Sequence, residues 1–342
     1  MSRIGSVDTC RLLASVAVVL IHTTPFLGAT PAQDAPFGTA AIVNQLARFA
    51  VPLFFVLAGY FWAARCERQG QFATVSISTI KRLLLIFAAW SLVYLFPTTM
   101  AEIRQLGPLG MLKQAYWNLL GLDLSHVLVT GTRFHLWFIA SLAMCVAISA
   151  IALSRGWTGP LIGSAAVMYG LTLLGGAYAA TPLGLELGFN PRFGPVAGLV
   201  FFVFGYVLHR LRQRGHSARV GIWLLAAGTI LSLAETWLLH VYFGNTVFNE
   251  FLVGTLLTGA GASLVALSGH PALSSPRLGS IGMVSLGIYA VHVLVMDLMA
   301  PLHTAWRGAL AWEVAYPITV FALSICIALL LSRIPVVRAV VA

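Results

Sequence analysis

Long apolar stretches recur along the chain and are separated by short polar loops. Ten of them approach the roughly 20 apolar residues that a helix needs to cross a bilayer. The pattern predicts an all-α membrane bundle that forms a single domain over residues 1–342, with no appended soluble domain. The predicted spans cover residues 9–27, 40–63, 83–100, 135–154, 160–180, 194–209, 220–242, 249–268, 280–300 and 314–333.

The basic residues of the loops indicate how these spans are oriented. With a cytoplasmic N-terminus, thirteen Lys and Arg residues fall in the inner segments and five in the outer ones. Because positive residues accumulate on the cytoplasmic side, this split predicts that both termini are cytoplasmic. The longest outer loop, residues 100–134, has an apolar side, and we expect an interfacial or re-entrant helix there.

The overall composition agrees with this interpretation. Hydrophobic residues make up 59% of the chain and charged residues 9%, which excludes a soluble globular domain. The formal charge of +10 follows from membrane topology, because the basic residues form no stripe with interleaved aromatic residues, so no nucleic-acid partner is indicated. The four cysteines have no paired spacing, and we expect free, buried thiols with neither a disulfide nor a metal site. They are Cys10, Cys66, Cys145 and Cys326.

The first span carries charged and titratable side chains that hydrocarbon does not tolerate. Asp8, Arg11, Ser15 and His22 fall on one helical face, and Arg11 and His22 lie about 16 Å apart along the helix axis. Protein or trapped water must cover such a stripe. We therefore expect the other helices to pack around it or to form a cavity over it.

Two interpretations of this stripe are open. In the functional one, Arg11 near the cytoplasmic boundary holds an anionic ligand, and His22 serves as a titratable base past the midplane of the membrane. In the structural one, Asp8 pairs with Arg11 three residues away, and His22 bonds to a neighbouring helix.

Three further spans contain polar candidates. In the second, Arg48 either neutralises a ligand or pairs with an acid, and Pro52 is expected to break the helix and free carbonyl groups. Lys81 and Arg82 precede the third span. They are either ordinary flanking residues or part of a basic binding site for phosphate groups. In the ninth, three side chains share a helical face. They are Ser285, Tyr289 and His292.

Aromatic and titratable residues also gather before and at the start of the fourth span. His135 and Trp137 begin it as an interfacial anchor, with His135 directed at a cavity. Asp123, His126 and Arg133 in the preceding loop either meet a polar substrate or are solvated loop residues.

Taken in order, these elements resemble integral-membrane acyltransferase family 3, and the likeness extends over nearly the whole chain. The arginine and histidine separated by ten residues are its most specific part. The matching elements are Asp8-x-x-Arg11 with His22, Arg48-Phe-Ala-Val-Pro-Leu-Phe-Phe-Val-Leu-Ala-Gly59-Tyr60, Lys81-Arg82, His135-Leu-Trp137-Phe, Phe202-Val-Phe204-Gly205-Tyr206, and Ser285-Leu-Gly-Ile-Tyr289-Ala-Val-His292.

The resemblance implies a ten-span O-acyltransferase of a bacterial inner membrane. Acyl-CoA, usually acetyl-CoA, would donate from the cytoplasm to a hydroxyl of a glycan or glycolipid acceptor, without a permanently bound cofactor. Arg11 and His22, with Asp8, would be the catalytic set, and Arg11, Lys81 and Arg82 would bind the CoA end. The remaining candidates for the acceptor or the transition state are Arg48, Tyr60, His135, Trp137, Ser285, Tyr289 and His292.

Two positions depart from the family pattern. Ala58 stands where a serine is common, which excludes a hydroxyl role there, and Leu85 replaces a further arginine that often follows Lys81 and Arg82. A rival interpretation is a transporter of an anionic metabolite or a lipid-linked sugar that performs no bond chemistry. The chain shows no clear internal repeat and no matched pair of broken helices, which disfavours a transporter.

Overall fold

The protein is described here from a computed structural model, which covers residues 4–27, 37–212 and 215–341. Arg3 and Arg214, two of the thirteen inner basic residues, lie outside these ranges. The described part contains the following α-helices: α1 Gly5–Thr23, α2 Thr39–Ala47, α3 Ala50–Gln69, α4 Phe72–Val93, α5 Met100–Leu120, α6 Leu124–Thr130, α7 Trp137–Ser154, α8 Thr158–Leu174, α9 Leu199–Arg210, α10 Ala218–Phe243, α11 Val253–Leu267, α12 Pro276–Gly282, α13 Ser285–Trp306, α14 Leu310–Ser332 and α15 Pro335–Val341.

The helices confirm the all-α prediction and the multi-pass character of the chain. Seven helical segments of the described residues are long and apolar enough to cross a membrane. Three shorter apolar helices, α8, α9 and α11, occupy the other three predicted spans. The total of ten spans and the cytoplasmic termini stay predictions.

Several predicted boundaries and positions are wrong. The third predicted span, 83–100, is the helix α4, which begins at Phe72 and ends at Val93. Lys81 and Arg82 therefore lie in the middle of this helix and are exposed there. Cys326 is exposed, whereas the other three cysteines are buried as expected.

The break expected at Pro52 lies just before it. Helix α2 ends at Ala47 and α3 begins at Ala50, so Arg48 caps α2 at the junction. Pro52 stands in the first turn of α3, where its missing N–H costs no hydrogen bond. This arrangement places Arg48 on a bend between two helices instead of on the face of a straight one.

The segment of residues 100–134, which connects α4 to α7, is itself helical, as predicted. Thr99 caps the N-terminus of helix α5 in a capping box, in which the side chains of Thr99 and Glu102 accept from each other's backbone N–H groups. Its Tyr116 and Trp117 side chains are more than half exposed. Helix α6 is capped by Asp123, and hydrogen bonds from Ser125 and from the backbone hold the pKa of the Asp123 carboxyl below its usual value.

Glycines allow the core helices to approach closely. A Cβ atom at Gly59 of α3 would collide with the carbonyl oxygen of Phe202, and one at Gly205 of α9 would collide with that of Val56. Helices α10 and α11 cross in the same way, since a Cβ at Gly228 would lie 2.5 Å from the backbone nitrogen of Thr258. The two aromatic-glycine elements are therefore packing elements of the α3–α9 crossing. The largest buried core joins α1, α3, α7, α9 and α11.

Candidate active site

A cavity of about 380 Å³ opens beside the C-terminal end of α1. Helix α1, the α2–α3 junction, the start of α7, helix α13 and two loops contribute to its walls. Aromatic rings supply much of the lining, and a few polar side chains stand among them. The lining residues are Val18, Ile21, His22, Thr24, Leu27, Asn44, Arg48, Val51, Pro52, Phe134, His135, Trp137, Phe138, Arg192, Phe248, Glu250, Phe251 and Tyr289.

A chain of hydrogen bonds assigns the protons on the two central histidines. His292 Nδ1 lies 2.6 Å from the backbone carbonyl oxygen of Tyr289, so Nδ1 carries a proton and donates it. His292 Nε2 is then an acceptor, and it lies 2.7 Å from His22 Nδ1. His22 must donate from Nδ1, which leaves its Nε2 unprotonated.

This geometry gives His22 a nitrogen with a free lone pair on a side chain that lines the cavity. The His22 and His292 rings meet edge to edge, with centroids 4.9 Å apart and ring planes 15° apart, and Phe134 packs edge-on against His22 at 5.2 Å. His292 is fully buried behind His22. A neutral imidazole held in one tautomer and one orientation is suited to accept a proton from a ligand.

Two more residues complete the aromatic surround of the histidine pair. His135 is 1% exposed and packs edge-on against His292, with ring centroids 5.3 Å apart. The Tyr289 hydroxyl donates to the backbone carbonyl of His135. That hydroxyl proton is therefore already engaged within the protein, and it is not directed at a ligand.

The backbone bends sharply directly after His22. Thr24 and Phe26 have φ angles of 40° and 68°, in the left-handed region that costs a non-glycine residue about 1–2 kcal/mol. Buried Glu313 of α14 holds this turn, since its carboxylate accepts from the Phe26 N–H at 2.7 Å and from the Gly308 N–H at 2.9 Å. Thr24 and Leu27 thereby line the cavity.

Arg48 is fixed on the opposite wall. Its Nε donates to Asn44 at 2.8 Å and its Nη2 to the Phe248 carbonyl at 3.1 Å. The third nitrogen, Nη1, is 3.9 Å from a carboxylate oxygen of Glu250, which also accepts from Arg192. Arg192 lies over the Phe193 ring, 4.8 Å from its centroid.

The roles of Arg192 and Glu250 were missed in the sequence. In the sequence, Arg192 is one of the predicted outer-loop charges, and Glu250 lies at the edge of a predicted span. The available signal was the turn Asn190-Pro191-Arg192-Phe193, which places a cation between two apolar helices.

Arg11 lies at the other end of α1. Its guanidinium is 3.6 Å from Asp8 and 5.3 Å from the centre of the Phe61 ring. The pairing with Asp8 agrees with prediction. The α1 lining of the cavity ends at Val18, which is seven residues, or about 10 Å, from Arg11. The cavity and the Arg11 site are therefore separate in this structure.

The remaining candidates are divided between the cavity and other places. His22, Arg48, His135, Trp137 and Tyr289 share the cavity, and His292 backs it. Lys81, Arg82 and Ser285 are not among the described residues that line it. Tyr60 also lies elsewhere, against His209 near the cytoplasmic end predicted for α3.

The chain is similar to a known protein family and to two curated proteins. A family model described as an acyltransferase domain matches residues 4–333. Two curated relatives, both named amino-acid racemase and both from Enterococcus faecalis, are 24% and 31% identical to the chain. The first match covers 67% of this chain and 32% of the relative, and the second 40% and 18%. No solved structure matches.

The chain thus spans about a third or less of the length of these relatives. The family model, in contrast, covers nearly the whole chain, including every helix that lines the cavity. The chain belongs to acyltransferase family 3 and has the apolar helices of a multi-pass membrane protein.

Proposed function

We propose that the protein is an O-acetyltransferase of a bacterial inner membrane, which moves an acetyl group from cytoplasmic acetyl-CoA to a hydroxyl of an extracytoplasmic or lipid-linked glycan. The observation that carries this proposal is the hydrogen-bond chain from the Tyr289 carbonyl through His292 to His22. It leaves His22 Nε2 as an unprotonated base in a cavity that also contains a fixed guanidinium.

The proposed reaction is a direct transfer. His22 Nε2 takes the proton of the acceptor hydroxyl while the hydroxyl oxygen attacks the thioester carbon. The carbon–sulfur bond breaks, and the CoA thiolate leaves with the proton that His22 returns. Because Ser285 is not among the described lining residues, the geometry supports direct transfer over a covalent acyl-enzyme on that serine.

Arg48 is the proposed group that stabilises the negative charge developing on the thioester oxygen. Its Nε and Nη2 are held by Asn44 and by the Phe248 carbonyl, which preorganises the guanidinium and leaves Nη1 without a hydrogen-bond-length contact. Tyr289, the alternative candidate, already donates its hydroxyl proton to His135. The geometry therefore favours Arg48.

The proposed donor route runs along α1. Arg11, about a third exposed, would bind the phosphates of acetyl-CoA together with Lys81 and Arg82. The flexible pantetheine arm would then reach into the cavity past Val18. The stretch of about 10 Å between Arg11 and Val18 carries the small buried residues Ala14 and Ala17. Passage of the arm requires neighbouring side chains to move.

A glycan acceptor is supported by the character of the outer lining. Aromatic faces such as Trp137 and Phe251, with amide groups such as Asn44, are the side chains with which proteins contact the apolar faces and hydroxyls of sugars. The name of the racemase relatives adds hydroxylated amino acids to the acceptors worth testing.

The test uses purified protein in lipid vesicles with labelled acetyl-CoA and candidate acceptors. We expect release of CoA with formation of an acetyl ester, and loss of both in His22→Ala. His270→Ala is the matched control, because His270 is exposed and lies outside the cavity. Full activity of His22→Ala in correctly inserted protein would remove the base assignment. Movement of an anionic solute into vesicles without CoA release would support the transporter instead.

A further inference from the structure

The outer wall of the cavity carries more positive than negative charge. Arg48 and Arg192 face a single carboxylate, that of Glu250, so the three side chains sum to one positive charge. The Arg48 side chain is 12% exposed and that of Arg192 25%. Charges this far out of water are costly unless they are paired, and here one guanidinium is left without a full partner.

The hydrogen bonds of the two guanidiniums show which of their nitrogens have no acceptor within hydrogen-bond distance. Arg48 Nη1 is 3.9 Å from Glu250, which is beyond hydrogen-bond distance. Arg192 donates to Glu250 through Nη1, while its Nε is buried and has no acceptor among the described residues. A buried donor without an acceptor costs free energy, and an anionic group bound at Arg192 would offset that cost.

Arg192 also lies where three cavities meet. It lines the cavity of His22, a second cavity of about 280 Å³ and a third of about 620 Å³. The second has an amide-rich wall that includes Asn190, Asn245 and Asn249. A ligand longer than the His22 cavity would therefore pass Arg192.

We propose that the acceptor is an anionic glycan, and that Arg192 binds its carboxylate or phosphate while the hydroxyl to be acetylated lies at His22 and Arg48 Nη1 faces the thioester oxygen. This inference rests on the proposed acetyl transfer and names the class of its acceptor. The planar guanidinium fork matches both anions in a bidentate geometry. Glu250 would hold the two arginines in place when the site is empty and would compete with the incoming anion.

The experiment compares three probes that differ in charge: di-galacturonic acid, its methyl ester and a phosphorylated neutral disaccharide. Acetyl transfer to each is measured as kcat/KM, and binding is measured separately with the His22→Ala variant by calorimetry. We expect the two anionic probes to be preferred over the ester by about 10- to 100-fold. The ratio between the two anionic probes reports which anion the site accepts better.

Two variants then separate an anion site from a structural ion pair. Arg192→Gln is expected to lower the preference for charged probes about 10- to 100-fold. Glu250→Gln removes the competing carboxylate and is expected to raise that preference about three- to fivefold. A purely structural pair would shift the preference in the same direction, or not at all, in both variants. Arg307→Gln, which removes an exposed outer arginine outside the cavity, is the matched control.

The outcomes distinguish this inference from the proposed function. Acetyl transfer that is equally efficient for the acid and the ester would overturn the inference and leave the acetyltransferase intact. Charge-dependent binding that Arg192→Gln weakens and Glu250→Gln strengthens, without acetyl transfer to any probe, would support the anion site and remove the acetyltransferase.

Discussion

Replacing His292 is the most direct test of the hydrogen-bond chain behind His22. His292 is fully buried and is not among the described residues that line the cavity, so it acts on the reaction only through its neighbours, of which His22 is its hydrogen-bond partner. His292→Ala removes the acceptor that faces His22 Nδ1 at 2.7 Å. His292→Gln is the matched variant, because the Gln side-chain oxygen is able to accept the same hydrogen bond.

The expected fall in kcat follows from the His22 Nδ1–H group, which loses its acceptor in His292→Ala. A buried N–H that loses its acceptor costs about 1–3 kcal/mol. If His22 recovers this energy by turning or by changing tautomer, the conformation that presents an unprotonated Nε2 is depopulated by the same free energy. The expected fall in kcat is then roughly 5- to 150-fold, since each 1.36 kcal/mol is a factor of about ten.

The assay is acetyl transfer under saturating donor and acceptor, with insertion and folding checked by size-exclusion chromatography. We expect kcat to fall in His292→Ala and to recover at least partly in His292→Gln, while both KM values stay close to wild type. A kcat of His292→Ala within twofold of wild type would refute the positioning role. So would an equal loss in both variants, because that pattern would reflect packing and not the hydrogen bond.

Two other predictions concern the donor and the helix packing. Arg11→Ala should raise KM for acetyl-CoA about 10- to 100-fold. Because acetyl-pantetheine lacks the nucleotide phosphates, the effect of the substitution on its KM should be smaller by a similar factor. Equal effects on the KM values of both donors would contradict phosphate binding by Arg11. Gly205→Ala should destabilise the protein by about 1–3 kcal/mol, because the new Cβ meets the Val56 carbonyl. Gly163→Ala, with no atom within 4 Å of the new Cβ, should be neutral or stabilising in the same thermal-unfolding measurement.

The features that sequence reasoning could predict are those set by local periodicity. Asp8, Arg11 and His22 belong to one continuous helix, so their spacing was sufficient to place them on a common stripe. The helical content of the 100–134 loop was visible in the same way, from apolar residues on one side. Positions within a helix depend only on the helix geometry, which is nearly constant.

The features that could not be predicted depend on contacts between distant segments. Nothing in the sequence shows that His22 and His292, which are 270 positions apart, form a hydrogen bond through their rings. Arg192 and Glu250 lie in two loops that meet only after α9, α10 and α11 have packed. The start of α4 at Phe72 lies outside the predicted span because its first turns mix polar with apolar residues, whereas an uninterrupted apolar run begins only after Arg82.

The position of His22 along α1 decides which substrate has to cross the membrane. His22 is seventeen residues from the start of the helix at Gly5, or about 26 Å in a hydrocarbon core of about 30 Å. With the predicted cytoplasmic N-terminus, the proposed base would lie near the outer boundary, beside cavities that an acceptor would enter without traversing the core. In the proposed reaction, the acetyl group would travel most of the bilayer thickness before any bond is exchanged. Passage of the donor past Val18 and the reaction at His22 are then separable steps. Substitutions in the Arg11–Val18 stretch should therefore alter the KM for the donor, and substitutions around His22 should alter kcat.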